Sequence, residues 1–480
     1  MDGAPDPHPA GACDADSGER HPAAEEGGNP AADAVGPPPP APGRAMVWAV
    51  LAGSLVLAGA FPAAELALWL CTPPRPTPGG WRVVPGAEAA WREALPAIWI
   101  AVVVAVWVFV FWSLIGSFLN VVVHRLPLGR SVVLGGSRCP RCGTAIKWHD
   151  NLPIVGWLRL GGRCRACGLP IAARYPLVES FCAGLGTAVY CRELLSGGTN
   201  LPVRIPDQLH DGLLRLVPSP GPDLLALTLY HAGTLCVLLV WGLIAWDRGR
   251  PPRWHVASVL LVAAGLAVVL PLLHPLPLVT HPAAAVDDGG RLVRGLATSV
   301  AGGGAGWLAG AALQAWLGRL LRGDAAGRAG LPLAAPTSLA GGLALVGVVL
   351  GWQGMLGTVF VLLAACLVQM VVWSARDGWP EAPPELLLVP ATFLHLCFWR
   401  QLVEGLAPWW PGGGQPLACL LPTAALVAAV SLALWSLAPA PRRLPPAIDA
   451  GDDGRPDAAA DRGTMPAEVH DARPTDPRAG

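Results

Sequence analysis

Charge is scarce in this chain of 480 residues, and neither sign predominates. Charged side chains make up 14% of the sequence, with 33 basic residues against 33 acidic ones. A soluble globular protein carries about 25% charged residues, so the composition excludes a soluble protein of this length. Because the net charge is zero, no broad basic field is available for nucleic acid, and we expect no nucleic-acid partner.

Lysine, phenylalanine and tyrosine are also rare. Lys147 is the single lysine, and 8 Phe and 3 Tyr stand against 21 Trp. Tryptophan is enriched where membrane proteins meet the lipid headgroups. The aromatic content therefore favours a protein that lies in a lipid bilayer.

Long apolar stretches fill most of the chain between its ends. Hydrophobic residues make up 53% of the sequence, and several apolar runs exceed the ~18 residues that indicate a membrane span. The sequence predicts an all-α fold, a polytopic transmembrane helix bundle of about 8–10 spans. The predicted helices are 46–71, 98–123, 175–195, 223–246, 255–275, 293–317, 337–352, 357–374, 386–400 and 417–438.

Two polar tails flank the apolar part of the chain. Residues 1–44 and 440–480 are rich in Pro, Gly, Ala and acidic residues. Such segments bury too little apolar surface to offset the entropy lost on ordering, so we expect both tails to be disordered. The first apolar stretch begins near residue 45 and is too long for the hydrophobic part of a signal peptide. We expect it to remain as an anchor.

The segment 125–174 is the most basic part of the chain. Asp150 is its single acid. Basic loops of membrane proteins lie in the cytoplasm, and alternating the spans from this loop places both tails in the cytoplasm as well. The basic residues are Arg125, Arg130, Arg138, Arg141, Lys147, Arg159, Arg163, Arg165 and Arg174.

Four of the 12 cysteines have metal-ligand spacing. Cys139 and Cys142 form one CxxC turn, and Cys164 and Cys167 form a second. Two such turns place four thiolates around one tetrahedral ion, and Zn²⁺ suits all-sulfur coordination. The alternatives are two disulfides or four free thiols, and a cytoplasmic position disfavours disulfides. The sequence therefore predicts a small cytoplasmic zinc-binding loop domain, with a closed site and a structural role for the metal.

An ordered series of motifs surrounds these cysteines. It runs GSFLNVVVHRLP (116–127), SRCPRC (137–142), WHDNLP (148–153), GRCRAC (162–167) and RYPLVE (174–179). The series resembles the N-terminal domain of type IV prepilin peptidases, the leader peptidase/N-methyltransferase family. A looser resemblance in span pattern continues to about residue 375.

The resemblance implies a division of the chain into parts. Residues 1–44 are a tail, 45–96 are an extra span with a loop, and 97–180 are the family's N-terminal domain with the zinc loop at 125–174. Residues 181–375 are a peptidase-like membrane core. Residues 376–439 carry additional C-terminal spans, and 440–480 are the second tail.

The resemblance also implies an activity and a location. Members of the family are inner-membrane aspartic endopeptidases that cleave the short basic leader of type IV prepilins or type II secretion pseudopilins. Many then methylate the new N-terminal amine with S-adenosylmethionine, an activity associated with the cysteine-bearing loop. The implied partners are therefore a prepilin or pseudopilin and the lipid bilayer, and the implied cofactors are structural zinc and S-adenosylmethionine.

The sequence departs from the family at both expected aspartates. The peptidase needs two carboxylates that share a proton, because two close carboxylates do not both ionise cheaply. The first position holds Ala245, and Asp247 occupies a second acidic position two residues later. The second position holds Leu339, twelve residues before Gly351. Asp247 is thus the candidate catalytic residue, and the second aspartate is not found.

Other polar residues are weaker candidates. Arg174 and Glu179 follow the zinc loop and either line a methyl-donor site or anchor the helix end, and the second interpretation is preferred. Asn120 and His124 share one helix face and either hydrogen-bond within the bundle or reach the same site. Asp287 and Asp288 indicate a turn on the outer side, and Asp324 lies in an arginine-rich loop that neutralises it.

Two classes of function remain after these observations. One is a divergent family enzyme that retains methyl transfer while its peptidase action is lost or rebuilt. The other is a non-catalytic family member that binds a prepilin or an assembly component of the pilus or secretion system. A transporter or channel is disfavoured, since the predicted spans contain few charged residues.

Overall fold

The computed structural model describes residues 87–133, 136–139, 142–202, 222–247, 249–270, 273, 288–322, 337–374 and 383–405. The predicted spans 46–71 and 417–438 and the two predicted tails lie outside these residues, and so do Asp287 and Asp324.

The described residues form helices, in agreement with the predicted all-α class. Their only β-type pairings are two isolated bridges in the cysteine loop. The helices are α1 Ala87–Arg125, α2 Val155–Arg159, α3 Arg174–Val189, α4 Pro222–Trp246, α5 Arg253–Val269, α6 Asp288–Arg322, α7 Thr337–Ser374, α8 Pro384–Cys397 and α9 Trp399–Gly405. A π-helical turn, Tyr190–Leu195, continues α3.

Four of these helices are long and apolar enough to cross a membrane. They contain the stretches Val102–Arg125, Pro222–Trp246, Gly295–Trp316 and Ser338–Gln369. The bent pair α8–α9 makes a fifth when it is counted as one span, and α5 is a shorter apolar helix. The predicted polytopic helix bundle is confirmed, and its helices coincide with eight of the ten predicted segments.

Helix α7 joins the predicted segments 337–352 and 357–374 across a break. Gly351 has non-helical dihedral angles, φ 74° and ψ 173°, in the region that only glycine enters without strain. Glu385 hydrogen-bonds Ser338 in the first arm and interacts electrostatically with Cys366 in the second. Gly351 therefore marks a kink that separates two helical arms of α7.

Small residues bring the helices into contact, as the glycine-rich patches in the sequence predict. A Cβ atom built on Gly302 of α6 would lie 2.0 Å from the carbonyl oxygen of Gly347 in α7, and one on Gly306 would lie 2.1 Å from that of Leu343. On the other side of the bundle, a Cβ atom on Gly116 of α1 would lie 2.8 Å from the Cα atom of Glu179 in α3. Backbones therefore touch directly at these crossings.

A continuous apolar stripe of α1 faces outward. Its residues recur every three or four positions, which places them on one helix face. They are Trp99, Val103, Trp107, Phe111, Leu114 and Phe118, all exposed. A stripe of this length and composition is the surface that a membrane helix presents to lipid.

Candidate functional site

The two CxxC turns fold alike. The amide of Gly143 donates a 2.9 Å hydrogen bond to the carbonyl of Cys139, and the amide of Gly168 donates one of the same length to Cys164. Both glycines have positive φ values, 68° and 67°, which a tight turn of this kind requires. The repeated geometry directs the paired thiols of each turn to one side.

The two turns meet so that all four predicted ligands converge. The sulfur atoms of Cys139, Cys142, Cys164 and Cys167 lie within 4.8 Å of one another, and those of Cys139 and Cys167 are 4.0 Å apart. Bonds of about 2.3 Å to a tetrahedral ion require sulfur atoms about 3.8 Å apart. The cluster therefore fits a tetrahedral metal ion.

The thiols differ in acidity because their surroundings differ. Hydrogen bonds from Thr144 lower the pKa of Cys142 to about 6. At Cys167 a backbone hydrogen bond from Leu169 lowers the pKa, but burial and the neighbouring thiols prevail and raise it to about 11. Four adjacent thiolates repel one another, and a divalent cation removes that repulsion, so the donor set favours a bound metal ion.

Asp150 braces the loop beside the cysteines. Its carboxylate accepts hydrogen bonds of 2.7 and 2.6 Å from Arg165 and one of 3.0 Å from Arg159. The side chain is only 4% exposed, and Arg165 holds the pKa of the carboxyl at about 2. In the sequence Asp150 is the single acid of a segment rich in arginine, a pattern that favours such ion pairs.

Glu179 attaches the loop to α3. Its side chain accepts a 2.7 Å hydrogen bond from the backbone amide of Ile154, and it is 7% exposed. Ile154 has φ 62°, a conformation that costs a β-branched residue energy and persists only where its surroundings enforce it. The buried carboxyl of Glu179 thus holds a strained turn of the loop against the bundle.

Two candidates from distant parts of the chain meet at the start of α3. Arg174 Nη1 lies 2.5 and 2.7 Å from the two carboxylate oxygens of Asp247, which follows the end of α4. Arg174 Nη2 is buried and has no hydrogen-bond partner among the described residues. We call the end of the bundle that contains this pair and the cysteine loop the loop end.

The two positions at which the resemblance implies aspartates hold residues without a carboxyl group. Ala245 and Leu339 are both buried apolar residues. Ser338, next to Leu339, donates a 2.6 Å hydrogen bond to Glu385 of α8, whose side chain sequence reasoning missed. Gly242 brings α8 close, because a Cβ atom there would lie 3.1 Å from the carbonyl oxygen of Glu385. In the sequence, Glu385 is distinguished only as an acid in the first turn of a helix, a common stabilising position.

The weaker candidates take separate places. Asn120 is buried and donates a hydrogen bond of 3.3 Å to the carbonyl of Tyr175. His124 is exposed near the end of α1. Within the described ranges, the group that can hold a metal ion consists of the four cysteines, and His124 does not join it.

Comparison with known proteins finds relatives that are similar to this chain in the region of the cysteine loop. Residues 110–193 match the Bacterial Peptidase A24 N-terminal domain. The chain is 56% identical over 75 residues to a prepilin leader peptidase/N-methyltransferase of Myxococcus xanthus, which is 16% of this chain and 22% of that protein. Proteins of the same name from Pseudomonas aeruginosa and Burkholderia pseudomallei are 45% and 33% identical over 89 and 157 residues. These matches cover 14% and 27% of this chain.

The matched parts cover 22%, 31% and 50% of the three relatives' own lengths. No solved structure matches the chain.

Fold and site together define an integral membrane protein in which a four-cysteine loop joins the membrane helix α1 to α3. Residues 110–193 are similar to the N-terminal domain of the bacterial A24 peptidases and to part of proteins named prepilin leader peptidase/N-methyltransferase, as the motifs predicted.

Proposed function

We propose that the protein processes the N-terminal segment of type IV prepilins or type II secretion pseudopilins, cleaving the leader, methylating the new N-terminus, or both. The observation that carries this proposal is the convergence of Cys139, Cys142, Cys164 and Cys167 within the family domain at 110–193. In the relatives, this domain occurs in proteins named for both activities. Methyl transfer is the activity that we expect this chain to retain.

The proposed setting is the inner membrane, with the loop end and both tails in the cytoplasm. The support is the charge of the segment 125–174, which carries nine basic residues and one acid. The proposed parts are those expected from the sequence: a family domain at 97–180, a membrane core at 181–375 and additional spans at 376–439. A prepilin would then meet the loop end from the cytoplasm.

We propose Zn²⁺ as the ion of the cysteine cluster. Four thiolates satisfy a tetrahedral zinc ion completely, so no coordination position is left for water or substrate. The metal would therefore hold the loop in shape and would not take part in the chemistry. Among the described residues between α1 and α3, the helical structure consists of α2 and the short 3-10 turn Trp148–Asp150, so we expect the loop to depend on the metal for its shape.

Arg174 and Glu179 are the candidate residues for S-adenosylmethionine, which supplies an activated methyl group. The structure engages Glu179 with the Ile154 amide and Arg174 with Asp247. The unpartnered Nη2 of Arg174 is the donor that remains for an anionic group such as the carboxylate of the methyl donor. Arg174 is therefore the better of the two candidates for cofactor binding, and Glu179 the better anchor.

Peptidase action requires a carboxylate that takes a proton from water. Asp247 is the candidate for this role, and Arg174 holds it with both oxygens engaged. Asp247 could act as a free base only after its ion pair with Arg174 breaks. Because Ala245 and Leu339 provide no second carboxyl, leader cleavage is the activity that we propose to be lost or rebuilt.

The test is to incubate the purified full-length protein, in detergent or lipid discs, with two peptides and S-adenosylmethionine. One peptide is a prepilin segment with its leader, and the other is the same segment with the leader already removed. Mass spectrometry of both separates cleavage from methylation, because the second peptide accepts a methyl group without prior cleavage. Asp247→Asn should abolish any cleavage, and Glu404→Gln, an exposed residue paired with Arg400, is the matched control.

Methylation of the second peptide without cleavage of the first is the expected outcome. Binding of the prepilin with neither reaction would contradict the proposed enzyme and would support a non-catalytic family member.

A further inference from the structure

A pair of ionisable residues is buried far from the loop end. Glu193 lies on the π-helical turn after α3, and its Oε1 is 2.7 Å from Nδ1 of His231 in α4. The two side chains are 1% and 0% exposed. Glu193 follows Arg174 by 19 residues and His231 precedes Asp247 by 16, so helical rise places the pair about 25 Å from the Arg174–Asp247 pair.

Three helix irregularities come together around this pair. Glu193 itself lies on a π-helical turn, α7 is broken at Gly351, and α8 and α9 meet at a bend of 72°. A Cβ atom on Gly354 would lie 3.5 Å from His395 Nε2 and 3.6 Å from the Trp399 ring. The Trp399 ring centroid lies 5.4 Å from that of His395 and 6.2 Å from that of His231.

Polar side chains donate hydrogen bonds to backbone carbonyls at the α8–α9 bend and in the segment after the π-helical turn. Arg192 donates a 2.8 Å hydrogen bond to the carbonyl of Cys397, and Asn200 donates one of 2.7 Å to that of Leu396. Arg400 donates a 2.7 Å hydrogen bond to the carbonyl of Thr199. Irregular backbone at membrane depth persists only where protein or a cavity buries it, and here these side chains provide that support.

Two atoms of the buried pair are left unsatisfied. Glu193 Oε2 and His231 Nε2 are buried and have no hydrogen-bond partner among the described residues. If Nδ1 carries the proton shared with ionised Glu193, both remaining atoms are acceptors. A buried ion pair stabilises a fold less than apolar residues of similar volume do, and ionisable residues inside a membrane commonly mark proton or ion sites. The two unsatisfied acceptor atoms of the pair therefore favour a positively charged ligand.

A metal ion fits this position poorly. Metal sites use three or more protein ligands that lie close together, and in the described ranges only the four cysteines form such a group. A proton needs one acceptor. His231 Nε2 supplies it, and protonation changes the pair from a net charge of −1 to an imidazolium–carboxylate pair of net charge zero, which costs less to bury.

We propose that Glu193 and His231 form an intramembrane proton-binding site, at which one proton binds His231 Nε2 while Glu193 remains the counter-ion. This site is separate from the prepilin-processing residues and does not depend on their activity. Within the described part of the chain, the other titratable or charged groups on the elements packed around it are Tyr190, Cys191 and Arg192 on the π-helical turn, Tyr230 on α4, His395 and Cys397 on α8, and Arg400 on α9.

The test uses full-length protein in lipid discs with isotope-labelled histidine. Nitrogen NMR spectra recorded from about pH 8 to pH 5, the range in which histidine titrates, distinguish neutral imidazole from imidazolium. One signal that disappears in His231→Gln should move from neutral to protonated over this range. In Glu193→Gln the same signal should stay neutral to a lower pH, because the counter-ion is gone.

Glu385→Gln is the matched control, since Glu385 is also a buried glutamate but contacts Ser338. It should leave the His231 titration unchanged. A His231 signal that keeps one protonation state throughout in the unmodified protein overturns the proposal. An unchanged titration in a folded Glu193→Gln protein also overturns it.

Discussion

Arg174 and Asp247 are 73 residues apart in the chain but share two short contacts at the loop end. The pair connects the first turn of α3, where the cysteine loop ends, to the end of α4. About one-third of each side chain is exposed, so solvent screens the attraction and the pair contributes little to stability. The ion pair holds Asp247, the candidate catalytic carboxylate, beside Arg174, the candidate cofactor-binding residue.

The Asp150 carboxylate gives the loop a defined dependence on pH. Its pKa is lowered to about 2, chiefly by Arg165, so its contribution to stability is fully present above the ordinary carboxyl pKa of about 4. That contribution is lost as the pH falls through the folded pKa. The protection factors of the loop amides, which compare their exchange with the intrinsic rate at each pH, should therefore fall below about pH 4 in the unmodified protein.

Asp150→Asn removes this charge, so its loop should exchange faster at neutral pH and lose the added acid sensitivity. Arg130→Gln, which changes a loop arginine with no recorded contact to Asp150, serves as the control. Equal exchange in Asp150→Asn and the unmodified protein at neutral pH would contradict the assigned role.

Glu179 should be one of the most sensitive residues of the loop junction. In Glu179→Ala the half-buried Ile154 amide loses its acceptor, which should cost up to the about 1–3 kcal/mol of an unsatisfied buried donor. Glu179→Gln keeps an acceptor oxygen and should cost less. Thermal unfolding in detergent measures both, and a larger loss for Gln than for Ala would show that the charge, and not the hydrogen bond, is what the fold needs.

At the scale of elements, the crossing of α6 and α7 depends on the absence of side chains. Gly302→Val should destabilise the bundle by at least about 1–3 kcal/mol, because a Cβ atom there meets the Gly347 carbonyl at 2.0 Å and overpacking forces the backbones apart. Gly304→Ala, where nothing lies within 4 Å, should be neutral or slightly stabilising. A comparable loss of thermal stability in both variants would exclude the contact as the cause.

The cysteine loop is the second element with a sharp test. Purified protein should contain about one zinc ion per chain, measured by elemental analysis. Cys164→Ser should lose the metal and increase hydrogen exchange within 136–170, while the amides of α4 keep their protection. Cys236→Ala, a cysteine of the helical core, should retain the zinc. Much less than one zinc per chain in the unmodified protein would refute the assignment.

At the scale of the whole molecule, the predicted orientation can be measured with the single lysine. Lys147 lies in the loop, so a membrane-impermeant amine reagent should leave it unlabelled in intact cells and label it in inverted membrane vesicles. Lys147→Arg removes the single lysine and so identifies the labelled peptide. Adding Gln208→Lys to that variant provides one amine on the predicted outer side. Labelling of Lys147 in intact cells would reverse the topology.

The sequence by itself determined the helical class and the four-cysteine group that could hold a metal ion. Apolar runs longer than a bilayer is thick leave few alternatives to membrane helices, because every backbone polar group must be satisfied within the segment. The spacing of the four cysteines also predicted their convergence, because each CxxC turn is a local structure and the site needs only two such turns to meet.

Only the tertiary structure decided which polar residues meet. The contacts Arg174–Asp247, Ser338–Glu385 and Glu193–His231 join residues 73, 47 and 38 positions apart. Such contacts depend on how helices are rotated and placed against one another, and close glycine crossings set that placement. Local sequence patterns specify which face of a helix is apolar, but they do not specify its neighbour, so these pairs follow from the packed bundle alone.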